Sequence, residues 1–383
     1  MLERYLAGSI SQTIERARAL STVFDKAHHC DYDGLRQQCT QNLSETILGL
    51  RRLQQELIVD EGLQSPRRLR EFRRHCDRLE EIETIGATAL ATVRPEAEFL
   101  NAVVRGICSD IAYPLVPPIV THLSASHFGI RADYNLLIVP LLEGNYFLHL
   151  ADIYHELAHP LLHASYDDRP VLEPYRKAFT IADFAVRHHT ATSILAAKRA
   201  HSVKSVQNQF LLWGQLWKTY WLEESFCDVF AALTCGPAYA WSHYHLAIKK
   251  GYDAYDVPVD RIESHPADDA RMRVILAALS RIGFSKECTT IGHAWKDLMD
   301  RRGERAQPEY RQCYPDDLIT AIVDIAYHGI EALGMNLAVP GALTSWSERL
   351  DKAWLSFWKD PGRYSLWERE QMRILSGTIG TRR

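Results

Sequence analysis

Apolar residues in the first quarter of the chain recur with a helical period. Leu43, Ile47, Leu50, Leu53 and Leu57, then Leu69, Phe72, Cys76 and Leu79, stand three or four positions apart. This stripe predicts two long amphipathic helices between residues 36 and 92, folded into a hairpin. Ser65 followed by Pro66 supplies a cap and a first-turn proline for the second helix. That helix also carries Arg67, Arg68, Arg70, Arg73, Arg74 and Arg78. They could grip an acidic partner, but interleaved with Glu71, Asp77, Glu80 and Glu81 they read first as a solvated face.

Between residues 112 and 148 the texture changes. YPLVPP reads as a loop, while segments near 128–130 and 136–142 read as strands, the second followed by a turn at Glu143, Gly144 and Asn145. Pro140 has no backbone N–H, which predicts that its strand lies at a sheet edge or is bulged there. Such an edge could pair with an extended peptide. Beyond residue 150 the pattern is helical, with segments near 150–165, 172–202, 205–235, 268–283, 289–300, 315–333 and 345–358. Gly236-Pro237 marks a stop, and 251–264 reads as a loop. The expected fold is mainly α (α+β). It has a helical N-terminal domain over 1–95, a core over 96–285 with a small antiparallel sheet before the helix near 150–165, and a helical C-terminal region over 286–383 packing on the core.

Composition narrows the classes. At 383 residues, 46% hydrophobic and 24% charged, the chain matches folded globular proteins and neither disordered nor fibrous ones. A formal net charge of -4 offers no general basic field for nucleic acid or an anionic membrane. No stretch reaches the roughly 18 apolar residues of a membrane span, and the first residues lack an apolar signal core, so a cytoplasmic protein without an anchor is expected. The eight cysteines include no CxxC pair, which argues against a thiolate zinc site or a CxxC redox motif and predicts mostly reduced, buried thiols.

The chemistry concentrates in HELAH. His155 and His159 stand four positions apart, a spacing that puts two imidazoles on one helix face within reach of one ion. Zinc accepts such nitrogen ligands, and Glu156 between them is placed as a base toward water beside the metal. Pro160, directly after the second histidine, removes a helix hydrogen bond and predicts a kink or an end near that point. The paired histidines His188-His189 and His243/His245 have no carboxylate at helical spacing and read as structural or surface residues.

A catalytic zinc needs a third protein ligand. The metzincin pattern would place a histidine where this chain has Ser165, and fails. The order of motifs instead resembles the gluzincins, in which a later helix supplies a Glu followed four residues on by an Asp. Glu224 and Asp228 in WLEESFCD have that spacing, so the resemblance implies Glu224 as third ligand. Asp228, one turn along the same face, is then placed to accept the outer ring N–H of a ligating histidine. Glu223 is the competing ligand, with Cys227 and not a carboxylate four residues on. Downstream, His265, Pro266 and Arg271 reproduce the HPxxxxR element of the gluzincin family containing the CAAX prenyl proteases and a heat-shock-induced bacterial membrane protease. That resemblance implies that His265 helps to stabilise an oxyanion and that Arg271 packs near or salt-bridges the site. Tyr220, one turn before Glu224, is a further candidate oxyanion donor or an aromatic packing residue.

The implied activity is zinc-dependent hydrolysis of peptide bonds in a peptide or protein substrate, with Glu156 as general base. Two alternatives stand beside it. One is a regulatory or protein-binding module whose zinc is structural, with His163 as the close sequence candidate for a fourth ligand. The other is a self-inhibited peptidase activated by a protein partner through the helical N-terminal region.

Overall fold

The computed structural model describes residues 2–26, 30–59, 65–93, 95–123, 128–141, 146–163 and 170–380. The protein is mainly helical with one small three-stranded sheet. Among the described residues no helix is long and apolar enough to cross a membrane. The expected turn at residues 143–145 lies outside the described residues, as does Ser165.

The chain divides into two compact units. The first comprises Met1–Asn101 and Pro118–Leu141, the second Ala102–Pro117 and Leu142–Arg383. In the first, α1 (Leu2–Lys26), α2 (Asp33–Val59) and α3 (Ser65–Glu81) pack together, and a π-helical turn at Ile82–Ala87 leads into the short α4 (Thr88–Ala91). The α2 stripe does what its period demands: Leu43, Leu50 and Leu53 are buried against Ile10, Ile14, Leu20 and Phe24 of α1, among others. One arginine of α3 departs from the expected solvated face. Arg68 is buried and donates to the backbone oxygen of Glu56, because its position points at α2 while Arg67, Arg70, Arg73, Arg74 and Arg78 are exposed.

The sheet also belongs to this first unit. Its strands are β1 (Ile119–Thr121), β2 (Gly129–Arg131) and β3 (Leu136–Ile138), in the order β1-β3-β2. β3 pairs parallel with β1 and antiparallel with β2, so the sheet is mixed and not antiparallel as expected. β3 is thus the central strand, with neighbours on both sides. It ends before Pro140, whose missing N–H therefore removes no ladder bond, and β3 offers no free edge for an extended peptide.

The helix α5 (Pro95–Asp110) has residues in both units. The second unit continues with α6 (Asp152–Glu156), α7 (His159–His163), α8 (Glu173–Arg199), α9 (Lys204–Leu216), α10 (Leu222–Cys235) and α11 (Pro237–Lys250). It ends with α12 (Asp268–Arg281), α13 (Ser285–Arg302), α14 (Pro308–Cys313), α15 (Asp316–Glu331), α16 (Ser345–Lys359) and α17 (Tyr364–Gly380). Its centre is α10, whose residues from Ser225 to Cys235 are all buried, and which packs on α6, α8, α12 and α15. A helix buried on all sides belongs in a core, and each fully buried Phe, Val or Leu there contributes roughly 1.5–3 kcal/mol on leaving water. That packing fixes the polar residues α10 carries. Gly236 ends the helix at φ +83°, a conformation suited to glycine, and Pro237 opens α11 at once. Residues 251–264 are irregular, as their composition predicts.

Candidate metal centre

HELAH spans a break between two short helices. Pro160 has no N–H to give the carbonyl of Glu156, and the local pairing tightens: Ala158 N–H reaches His155 O and Leu161 N–H reaches Ala158 O, both at 3.1 Å. Leu157 O thereby loses its helical donor. The hydroxyl of Tyr113 supplies one at 2.7 Å, and Arg176 Nε donates to Leu161 O at 3.3 Å. Across this propped break the His155 and His159 rings lie 5.3 Å apart, nearly perpendicular.

Carboxylates from α10 meet these rings. His155 Nδ1 stands 3.0 Å from Asp228 Oδ1, and His159 Nδ1 2.7 Å from Glu223 Oε1. An ionised carboxylate only accepts, so each Nδ1 carries the proton and each Nε2 faces away from its carboxylate. Glu223 Oε1 also receives His163 Nε2 at 2.8 Å, which places His163 on Glu223. Glu224 approaches the other side of His155: its Oε2 is 3.3 Å from His155 Nε2 and 3.7 Å from His265 Nε2. That oxygen is buried and has no hydrogen-bond partner.

Asp228 is fully buried and saturated. Arg271 grips it in bidentate fashion, Nε to Oδ2 at 2.9 Å and Nη2 to Oδ1 at 2.6 Å, and the Tyr239 hydroxyl donates to Oδ1 at 2.5 Å. Tyr239 also stacks on the His155 ring, its hydroxyl 3.0 Å from Nδ1. Burial alone would push the Asp228 carboxyl up, but Arg271 and His155 hold it far below the usual carboxylate range. Burial likewise disfavours a charged His155, yet the flanking Asp228 and Glu224 carboxylates outweigh it and raise its pKa to about 10. Glu224 and Glu223, each pushed up by burial, are drawn down to about 2 by His155 and by His159 with His163 respectively. These carboxylates call for positive charge at the imidazoles, a place for which a proton and a metal ion compete.

A ligand-competent atom of each of His155, His159 and Cys227 lies within 4.8 Å of the other two, and this buried group could hold a metal ion. Cys227 carried no signal in the absence of a CxxC pair. It could have been found from helical spacing, since Glu224, Cys227 and Asp228 stand at i, i+3 and i+4 on one face. Burial, with Glu224 and Glu223 next, pushes its thiol well up. Tyr239 and Tyr113 were also missed; their contacts are long-range and leave no periodic trace.

The remaining candidates fall at the margin or outside. Glu156 is half-buried, and its side chain makes no hydrogen bond or ion pair among the described residues. The His265 side chain is 56% exposed, with Nδ1 2.9 Å from Ser264 Oγ. Tyr220 sits in a π-helical turn at Trp217–Trp221, which alters its offset from Glu224, and it too lacks a hydrogen bond among the described residues. Its neighbours Trp217 and Trp221 are buried, donating from Nε1 to Cys313 O and Glu263 O at 2.9 Å. Of the other histidines, His243 is buried on Asp268 O, and His245 pairs with His149. His188 is exposed. Seven of the eight cysteines, all but Cys30, are described as free thiols, five of them buried. Compared with protein-family models, with curated proteins and with solved structures, the chain matches none.

Proposed function

We propose that this chain is a zinc-dependent peptidase of gluzincin type, with His155, His159 and Glu224 as metal ligands. The observation that carries the reading is the buried Oε2 of Glu224, which makes no hydrogen bond and stands 3.3 Å from His155 Nε2. A buried ionised oxygen without a donor is costly, and a cation shared with the imidazoles removes that cost. Two further features support it. Both imidazoles are tied at Nδ1 to carboxylates, the arrangement that orients histidines toward a metal through Nε2. Nitrogen and oxygen donors of this kind suit zinc.

A bound zinc would supply Lewis acidity, lowering the pKa of water and polarising a peptide carbonyl. Glu156, whose side chain makes no hydrogen bond or ion pair among the described residues, would be the residue that accepts a proton from water and returns it to the leaving amine. His265, with Nε2 near Glu224 and a largely exposed ring, donates to the carbonyl oxygen as negative charge develops there. Asp228 holds His155 in one tautomer, and Arg271 and Tyr239 hold Asp228.

One observation favours a second reading. Cys227 Sγ near both imidazoles offers a fourth donor, and four protein ligands would make a closed, structural site. The two readings separate on one experiment: measure zinc per chain, then follow cleavage of a mixed peptide library by mass spectrometry before and after chelation. Stoichiometric zinc with cleavage lost on chelation and restored by zinc supports the peptidase. Stoichiometric zinc without cleavage supports the structural site.

A further inference from the structure

We infer that Glu223 is the positioning residue of His159 and that His163 in turn holds Glu223, a support for the second histidine separate from the one that Asp228 gives the first. The inference deepens the reading above and rests on His159 acting as a ligand. One oxygen, Oε1 of Glu223, takes the Nδ1–H of His159 at 2.7 Å and the Nε2–H of His163 at 2.8 Å. His159 and His163 stand four apart on α7, so a single carboxylate on α10 pins both ends of a five-residue helix that begins at the break before Pro160. A helix that short has no stability of its own, so the direction of the His159 ring depends on this external contact.

The two supports differ in kind. Asp228 is wholly buried, and Arg271 and Tyr239 hold it from the interior. Glu223 is partly exposed, and its second partner, His163, has 53% of its side chain in solvent. His155 is therefore the fixed member of the pair. His159 is the member whose orientation is set by groups that solvent can reach.

The test reads the tautomer directly. In metal-free protein labelled with 15N-histidine, long-range proton–nitrogen correlation recorded over a pH series reports which ring nitrogens of His159 carry hydrogen. Wild type should show Nδ1–H. Glu223→Ala should move His159 toward Nε2–H while His155 is unchanged, and Glu223→Gln, whose amide oxygen still accepts, should keep Nδ1–H. In parallel, competition with a chromogenic chelator should show zinc held about 10–100-fold more weakly by Glu223→Ala. The loss should be smaller in Glu223→Gln and in His163→Ala. A His159 tautomer and a zinc affinity indifferent to Glu223→Ala would overturn the inference while leaving the metal site standing. A tautomer that follows Glu223 in a wild-type chain that binds no zinc would uphold the positioning role and sink the metalloenzyme reading instead.

Discussion

Asp228 accepts the Nδ1–H of His155 over 3.0 Å, and that contact is the inner end of a chain of buried groups. Behind it stand the Arg271 guanidinium and the Tyr239 hydroxyl, both of buried residues. Low local dielectric makes such a set strong when complete and costly when broken.

Removing the carboxylate should therefore show in stability before function. Asp228→Ala leaves Arg271 as a buried cation without its counter-ion, a loss of about 3–5 kcal/mol. Urea unfolding checks this, and an unchanged midpoint would contradict the account of Asp228.

The choice of third ligand is checked by paired substitutions. Glu224→Ala should lose stoichiometric zinc, while Cys227→Ser should retain one zinc per chain, as measured by elemental analysis after gel filtration. The reverse pattern would transfer the ligand role to the thiol and favour the closed site.

The break inside HELAH supplies a third prediction. Tyr113→Phe removes the donor to Leu157 O and strands a buried carbonyl, which costs about 1–3 kcal/mol. Thermal and urea unfolding should both report the loss, and a variant as stable as wild type would show that Leu157 O finds another donor.

A fourth concerns pH. His149 and His245 meet Nε2 to Nε2 at 3.1 Å, a contact in which one neutral ring donates to the lone pair of the other. Burial first, then His245 and Lys249, lower the His149 pKa to about 4, and His245 is lowered as well, by burial and Lys249. Between the ordinary imidazole value near 6.5 and about 4 the unfolded chain binds protons that the folded chain refuses. This contribution is thus fully present above the ordinary value and is lost as pH falls toward 4. His149→Gln should flatten the fall in stability between pH 6.5 and pH 4. An unchanged profile would place the acid sensitivity elsewhere.

What was legible in the sequence follows the range of the interactions. HELAH, the Glu224–Asp228 spacing and the α2 stripe are local patterns, each readable within one or two helical turns. The mixed sheet was not, because strands of three residues carry too little alternation to reveal that β1 and β3 run parallel. Gly236-Pro237 is a stop that also opens α11, because proline is equally at home in a first helical turn. Leu100, Val103, Val104, Ile107 and Cys108 of α5 follow a helical period, a signal that the sequence does carry. Tyr113, Tyr239 and the pairing of Glu223 with two histidines depend on contacts between distant segments, which no local pattern encodes.

The most direct measurement is Glu156→Gln in otherwise intact protein, with zinc content and peptide cleavage determined on the same sample. Because Glu156 is assigned proton transfer and not ligation, the variant should hold zinc at the wild-type stoichiometry and lose cleavage by about 100-fold or more. Retained zinc with cleavage at the wild-type rate would contradict the central claim.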